Sequence, residues 1–288
     1  MRLVDRMTIA GVGLIGGSLA AAAREAGLVG EILGFGRSTA NLAIAKERGL
    51  VDRVVSDDAA AADVDLVVLA APVRTCAVLA ERFRRHARPT TIVTDVGSVK
   101  ATLVAELERV WTAPGRVVGA HPIAGSEAAG AGAARADLFR DRLCIVTPTQ
   151  RTDADALRLV RALWEGLGAR VEEMTAETHD AILARVSHLP HVLAYALVRA
   201  VSGRSTDGRR LLDYAGTGFL DATRIAASPA EIWRDIALAN RPALTTALQE
   251  LRRALDELVV LIEAEDAIGL EAVLGAAADT RRALGSKT

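Results

Sequence analysis

The sequence predicts a doubly wound α/β domain with a parallel sheet, followed by an all-α domain. From residue 7 to about residue 147, short β-rich apolar runs alternate with helical patterns. Such alternation is typical of a parallel sheet with helices on both faces. The runs are apolar almost throughout, as strands buried on both sides require. After Thr175 the spacing of apolar residues becomes helical. We therefore expect two domains, over residues 1–174 and 175–288.

A glycine-rich turn follows the first predicted strand, residues 8–12. Gly11, Gly13 and Gly16 form the pattern G-x-G-x-x-G, and an alanine-rich helical run over residues 19–25 comes next. This order of strand, turn and helix is that of a Rossmann-like dinucleotide site, where the helix N-terminus faces the pyrophosphate. We expect Gly11 to permit the tight turn, Gly13 to let the backbone approach the phosphates, and Gly16 to let the helix pack on the strand.

The later predicted elements continue the alternation of strands and helices. Further strands are predicted at residues 32–35, 66–70, 91–95, 117–119, 143–147 and 170–173, and helices at residues 39–48, 73–86, 100–110 and 153–168. In the second domain an apolar stripe recurs at three- and four-residue spacing through Leu244, Leu248, Leu251, Leu255, Leu258 and Ile262. A stripe of this length needs a partner, which is either the core of the same chain or a second subunit, and of the two we favour a homodimer through the helical domain.

Composition narrows the class of protein. The formal net charge is −1 and 51% of the residues are hydrophobic, which gives no indication of a nucleic-acid or membrane partner. No apolar run approaches the roughly 18 to 20 residues that cross a bilayer. The first strand begins too near Met1 to leave room for a signal peptide, so a cytoplasmic location is expected. Cys76 and Cys144 fall in separate elements and are expected to pack. No metal site is predicted, because His188 and His191 have no neighbouring carboxylate or thiolate.

Polar clusters lie where a two-domain dehydrogenase would use them. An imidazole lies just past a predicted strand, in the segment His121-Pro122-Ile123-Ala124-Gly125-Ser126-Glu127. It would place a proton acceptor beside the dinucleotide expected at the glycine-rich turn, which can accept a hydride. Other clusters are Asp95-Val96-Gly97-Ser98-Val99-Lys100, Ser187-His188-Leu189-Pro190-His191 at a predicted helix start, residues 218–226, and Trp233-Arg234-Asp235. Together these clusters resemble the prephenate and arogenate dehydrogenase family over residues 7 to about 285.

The resemblance implies an oxidative decarboxylation that uses NAD(P)+ and converts prephenate to 4-hydroxyphenylpyruvate or arogenate to tyrosine. It makes His121 the proton acceptor on the ring hydroxyl, with Ser98 on the same oxygen. An unperturbed histidine titrates near pH 6.5, so it can act as a base at working pH. Arg224 is the expected carboxylate clamp, since a guanidinium binds a carboxylate bidentately. The remaining substrate-binding residues that the resemblance implies are Ser187, His191, Trp233, Glu127 and Asp221, the two carboxylates having helix capping as an alternative role.

Substrate identity stays open at this stage. Some relatives carry a lysine at the position of Leu220, where it helps to hold the side-chain carboxylate. Arogenate, with its ammonium group, would favour a nearby carboxylate such as Asp221 or Glu127. A relative that acts on the 4-amino analogue, 4-amino-4-deoxyprephenate dehydrogenase, shares the same motifs and is a further alternative.

The cofactor is expected to be NADP or NAD. NAD sites usually carry an acidic residue about 20 positions past the glycines, on the ribose hydroxyl. The second strand instead leads into Gly36-Arg37-Ser38, with no acidic residue before Glu47, which favours NADP. The residues expected to bind the cofactor are Gly11, Gly13, Leu14, Ile15, Gly16, Arg37, Ser38, Ala71 and Pro72.

Two other classes of protein compete with this interpretation. β-Hydroxyacid dehydrogenases and imine reductases share the two-domain plan but rely on a helical lysine in the second domain. After Arg170 this chain has only Lys287, which disfavours them. A non-catalytic nucleotide sensor would have an empty or apolar cleft and would tolerate loss of His121.

Overall fold

The predicted fold class is confirmed by the computed structural model, which describes residues 2–125 and 128–285. Over these residues one sheet has the strand order β3-β2-β1-β4-β5-β6-β7-β8. Neighbouring strands are parallel except for β6 and β7, which pair antiparallel. The strands are β1 (Val4–Ala10), β2 (Val29–Phe35), β3 (Arg53–Val54), β4 (Leu66–Leu69), β5 (Ile92–Asp95), β6 (Val117–Pro122), β7 (Leu143–Thr147) and β8 (Arg170–Glu173).

Helices cover both faces of this sheet. Successive residues of a strand point to opposite faces, so Val68 belongs to one buried apolar cluster and Val67 to the other. Trp164 packs in the first cluster and Phe83 in the second. The covering helices are α1 (Leu14–Glu25), α2 (Thr39–Glu47), α3 (Asp58–Ala62), α4 (Val73–Arg84), α5 (Ala101–Val110) and α6 (Ala154–Gly166).

The chain reverses its direction of winding at β1. From β1 it passes to β2 on one side, whereas β4 pairs with β1 on the other. The loops that follow β1 and β4 therefore diverge and leave a crevice at the carboxyl ends of these strands, which is where doubly wound sheets bind ligands.

The part of the chain after the sheet is mainly helical, with one small addition to the prediction. The hairpin of β9 (Ser205–Thr206) and β10 (Arg209–Arg210) interrupts the helices. By compactness, residues up to Arg241 form one unit and residues from Pro242 form a second. The helices are α7 (Ala176–Leu183), α8 (Leu189–Val201), α9 (Thr217–Thr223), α10 (Ala230–Ala239), α11 (Arg241–Glu263) and α12 (Ala267–Ala283).

Helices α7 and α8 are joined by a π-helical turn, Ala184–His188, into one helical run. The sequence predicted a helix start at Ser187, and this is wrong. Pro190 has no N–H for the carbonyl of Val186, and the wider turn accommodates this loss: the N–H of Leu189 donates to the carbonyl of Ala184. The side chain of Ser187 therefore projects from a bulge inside a helix.

The sequence analysis found no apolar run long enough to cross a bilayer, and the helical run Ala176–Val201 corrects this finding. Its mean hydropathy reaches 1.4 over 18 residues, so by length and composition it could cross a membrane. However, it contains His179, Asp180 and His188, which are buried and hydrogen-bonded to other elements of the same compact unit. Core helices of globular proteins meet the same criterion, although most of this window is not buried within the chain.

Candidate active site

A cavity of about 880 Å³ opens at the carboxyl ends of β1, β2 and β4. Gly11 and Gly13 line it. Gly11 has a φ of +106°, and a Cβ there would lie 2.3 Å from the carbonyl oxygen of Ala70, so only glycine fits. A Cβ at Gly13 would meet nothing within 4 Å, which leaves this backbone open to a ligand. The turn thus has the shape that a pyrophosphate group needs.

The other predicted cofactor residues divide into two groups. Arg37, Ser38, Ala71 and Pro72 line the cavity together with the two glycines. Leu14, Ile15 and Gly16 do not line it: they form the first turn of α1, where Leu14 and Ile15 pack against the apolar core. A Cβ at Gly16 would lie 2.2 Å from the carbonyl oxygen of Gly11. These three residues therefore hold the turn in place.

Two residues at this cavity were missed in the sequence. Asn41 of α2 donates to the carbonyl of Val12 at 2.7 Å and accepts from the N–H of Ala131 at 2.7 Å, so it supports the glycine-rich turn. Arg82 of α4 lies 5.7 Å from the ring centroid of Phe35 and pairs with Asp58 at 2.6 Å. No motif marks either residue, because only the packing of α2 and α4 on the sheet brings them to the cavity.

His121 is the centre of a second polar region. The sequence placed it after its strand, but β6 continues to Pro122 because His121 pairs with Ile145 of β7. The residue is only 9% exposed. Burial lowers its pKa well below the usual value, and electrostatic interactions with His179, Lys100 and His188, which disfavour a second proton in this region, lower it further. The expectation of an unperturbed pKa is therefore wrong, and the imidazole is neutral at neutral pH.

Three side chains form a hydrogen-bonded chain that begins at His121. Nδ1 of His121 lies 2.8 Å from Nε2 of His179, and Nδ1 of His179 lies 2.8 Å from Oδ1 of Asp180. The carboxylate of Asp180 also accepts from the N–H groups of Lys100 at 2.8 Å and of Ala101 at 2.9 Å. Sequence analysis missed His179 and Asp180. The only signal was an adjacent pair of titratable residues near the start of a helix.

The turn that carries Ser98 is held by a buried ion pair. Lys100 and Asp95 are both fully buried and pair with each other, and Nζ of Lys100 donates to the carbonyl of Ala120 at 2.9 Å. Asp95 accepts from the N–H of Gly97 at 2.7 Å. This network joins the end of β5 to β6 and places half-buried Ser98 between β5 and α5.

Four of the predicted substrate-binding residues lie together around α8. His191 stacks on Trp233, with ring centroids 3.4 Å apart, and its Nδ1 donates to the carbonyl of Ser187 at 3.0 Å. Burial lowers the pKa of His191, and the positive charge of nearby Arg224 adds to this effect. Arg224 is exposed at the start of a 3₁₀ turn, Arg224–Ala227. Ser187, His191, Trp233 and Arg224 therefore form one cluster.

His188 lies between this cluster and the His121 chain. It is fully buried, and its ring meets that of Trp233 edge-on at 6.2 Å. Nδ2 of Asn240 donates to Nδ1 of His188 at 3.1 Å and to the carbonyl of Asp180 at 2.9 Å. Burial lowers the pKa of His188 to about 4, although the Asp180 carboxylate opposes this shift.

The other two predicted substrate-binding residues are Asp221 and Glu127. Asp221 lies in α9 and is exposed. Glu127 lies outside the described residues, so its role stays a prediction. That Arg224 and His121 meet at one substrate also stays a prediction.

Comparison with known proteins agrees with this geometry. Residues 19–173 match the family described as "Prephenate dehydrogenase, nucleotide-binding domain". Residues 175–276 match "Prephenate dehydrogenase, dimerization domain". The cyclohexadienyl dehydrogenase of Zymomonas mobilis is 36% identical over 92% of this chain and 91% of its own length.

Two solved structures share the whole fold. Prephenate dehydrogenase from A. aeolicus, in complex with hydroxyphenyl propionate and NAD+, superimposes with a TM-score of 0.93 at 36% identity, covering 97% of this chain and 98% of that one. Synechocystis arogenate dehydrogenase gives a TM-score of 0.83 at 32% identity and covers 97% of this chain and 99% of that one.

Proposed function

The chain belongs to the prephenate dehydrogenase family, and on that premise we propose that it oxidatively decarboxylates prephenate or arogenate with NAD(P)+. The products are 4-hydroxyphenylpyruvate or tyrosine, with carbon dioxide. The observation that carries the proposal is the buried, neutral His121 at the carboxyl end of β6, in a sheet whose crevice fits a dinucleotide.

The residues present fit a nicotinamide dinucleotide. The Gly13 backbone is open to a pyrophosphate group, and the N-terminus of α1 provides unpaired N–H groups and a positive dipole end. Ala71 and Pro72, at the end of β4, form the wall of the cavity on the other side of the turn. When it is bound, the nicotinamide ring accepts the hydride that leaves the hydroxyl-bearing carbon of the substrate.

The chain's own side chains handle the proton and the carboxylates. His121 takes the proton of the ring hydroxyl, which the substrate must lose as the hydride departs, and Ser98 holds the same oxygen. Loss of the ring carboxylate as carbon dioxide leaves its electron pair in the ring, which becomes aromatic. His121 then returns the proton to the phenolate oxygen. Arg224 clamps a substrate carboxylate, and Trp233 with His191 forms the adjoining wall.

For the cofactor, we propose a preference for NADP+. Arg37 and Ser38 line the cavity at the end of β2, and Arg82 adds a second guanidinium to its wall. None of the described residues that line the cavity is a carboxylate, whereas NAD sites usually place one on the ribose hydroxyl. The Ser38 hydroxyl accepts from the N–H of Asn41 at 3.2 Å, so it also caps α2.

We also propose a cytoplasmic homodimer that forms through the helical domain of residues 175–288. The matched family domain is described as a dimerization domain. Described by itself, α11 keeps an exposed apolar face, with Leu255, Val259 and Ile262 exposed by 47%, 50% and 59%. These residues are spaced by four and three positions, so they share one side of the helix.

The proposed function is tested by initial rates with prephenate and with arogenate, each with NAD+ and with NADP+. The native protein should reduce at least one cofactor with at least one substrate. The His121→Asn variant should lower kcat on the order of 100-fold or more, the usual scale for loss of a general base. Cofactor binding, followed by fluorescence titration, should be unchanged. Turnover by the variant at the native rate would refute the assignment, and a sensor without catalysis would show no reduction at all.

A further inference from the structure

We propose that His179 and Asp180 are positioning residues that hold His121 in the tautomer with its proton on Nδ1 and a free lone pair on Nε2. This inference rests on the proposed role of His121 as proton acceptor. It assigns a task to two residues that the motifs of the sequence did not indicate. Neither residue needs to touch the substrate, since both act through His121.

The order of the hydrogen bonds follows from what each group can donate. The Asp180 carboxylate can only accept, so Nδ1 of His179, at 2.8 Å, must carry a proton. In a neutral imidazole the other nitrogen then has no proton, so Nε2 of His179 can only accept. It lies 2.8 Å from Nδ1 of His121, which must therefore be the donor. Nε2 of His121 is left with its lone pair, as a general base requires.

The Asp180 carboxylate, which ends this series of hydrogen bonds, is itself held in place. Asp180 accepts from the N–H groups of Lys100 and Ala101, which lie at the N-terminus of α5 and so have no acceptor within that helix. Lys100 makes no side-chain cap of its own there, so the carboxylate from α7 acts as the cap, and the helix dipole favours its negative charge. The same contacts hold α7 against the helix that follows Ser98. The direction of the hydrogen bonds is thus set by two backbone N–H groups, which can only donate.

The groups around His121 are compatible with this arrangement. On α7 and the π-helical turn these are His179, Asp180 and His188, and from the sheet side the buried Lys100–Asp95 pair. Burial raises the pKa of the Cys144 thiol on β7, so this neighbour is uncharged. The two imidazole planes meet at 62° with centroids 5.0 Å apart, a geometry of edge contact through the nitrogens rather than of stacking.

Two substitutions at one position test the proposal by activity. His179→Leu removes the acceptor that faces His121, and it should lower kcat on the order of 100-fold with little change in KM. His179→Gln can present an amide oxygen to His121 and an amide N–H to Asp180, so it should stay within about 10-fold of the native kcat. His86→Leu changes an exposed histidine just after α4 and serves as the matched control. A His179→Leu variant with native kcat would overturn the proposal.

The second measurement does not depend on turnover. The chain contains five histidines, and ¹⁵N labelling of their rings with ¹H–¹⁵N correlation shows which nitrogens carry protons. The signals that disappear in His121→Asn belong to His121. At pH 7 the native protein should show Nδ1 protonated and Nε2 unprotonated, and His179→Leu should shift His121 toward the other tautomer. A proton on Nε2 of His121 in the native protein would refute the inference even if the enzyme is active.

These two readouts separate failure of the inference from failure of the proposed function. If the native protein oxidises neither substrate with either cofactor, the proposed function fails, and the ring spectra still decide the order of hydrogen bonds. If turnover is normal but the spectra place the proton on Nε2, the function stands and the positioning role is wrong.

Discussion

The indole of Trp233 lies flat on the imidazole of His191, with ring planes 17° apart and centroids separated by 3.4 Å. This contact joins α10 to α8 within the first compact unit. His191 also donates to the carbonyl of Ser187, and it lies near enough to Arg224 for that charge to lower its pKa. Rigid aromatic packing thus fixes one wall of the proposed substrate site, beside an exposed guanidinium.

Replacing Arg224 with alanine should mainly weaken substrate binding. A carboxylate clamp holds the substrate in the ground state and in the transition state alike, so KM should rise on the order of 10-fold or more while kcat stays within a few-fold. Steady-state kinetics with saturating cofactor measure both parameters. Arg109→Ala, on the exposed side of α5, is the control. Equal losses in kcat and kcat/KM would mean that Arg224 acts only in the transition state.

The acid limb of the pH profile should lie below that of a free histidine. Burial lowers the pKa of His121, so the base stays unprotonated as pH falls through the usual value of about 6.5. We expect kcat/KM to remain flat through that pH and to decline only in more acidic solution. The profile is measured in a buffer series of constant ionic strength. A decline centred near pH 6.5 would show that another, exposed group is the base.

Stability should also decrease in acid because of His188. Its folded pKa is about 4, against about 6.5 when unfolded, so below pH 6.5 the unfolded chain binds the extra proton. The stabilisation is complete above pH 6.5 and is lost progressively as pH falls toward 4. The expected loss is about 2 kcal/mol by pH 5, an order-of-magnitude value. Urea unfolding at pH 7 and pH 5 measures it, and His188→Gln should reduce the difference between the two. An equal pH dependence in this variant would assign the effect to other groups.

The cofactor preference should depend on Arg37. A charge-assisted hydrogen bond to the 2′-phosphate contributes roughly 1.5–3 kcal/mol, so Arg37→Ala should raise KM for NADP+ about 10-fold or more. KM for NAD+ should change little, because that cofactor has no 2′-phosphate. The ratio of kcat/KM values for the two cofactors gives the result in one assay series. An unchanged ratio would mean that Arg37 is a solvated loop residue.

The exposed face of α11 should carry the dimer contact. Introducing charge with the double substitution Leu255→Asp and Val259→Asp should convert a dimer to a monomer, because unpaired buried carboxylates are strongly unfavourable in an interface. Light scattering after size exclusion measures the mass. Ile44→Asp, at an exposed apolar position of α2, should leave the dimer intact. A monomeric native protein would contradict the proposal directly.

Much of the sheet domain could be predicted from local patterns. The strand at Leu143–Thr147 and the one at Arg170–Glu173 have the predicted bounds, and the spacing of Gly11, Gly13 and Gly16 identified the turn at the cavity. Leu143–Thr147 is short, mostly apolar and buried, so this strand leaves a signal in its own residues. The antiparallel pairing of β6 with β7 leaves no such signal, because pairing direction depends on the path of the connection between the strands.

The sequence by itself determined the fold class, a sheet with covering helices followed by a mainly helical part, and the glycine-rich turn, because contiguous residues with a regular spacing specify each of these. It also pointed to His121, whose role stays a prediction. Only the tertiary structure decided how His121 is held. His179 lies 58 positions away from it, and Asp180 reaches the start of α5 across 80 positions. A hydrogen bond needs its two atoms within about 3 Å, whatever their separation in sequence. These partners can therefore be identified only once the packing of the helices on the sheet is known.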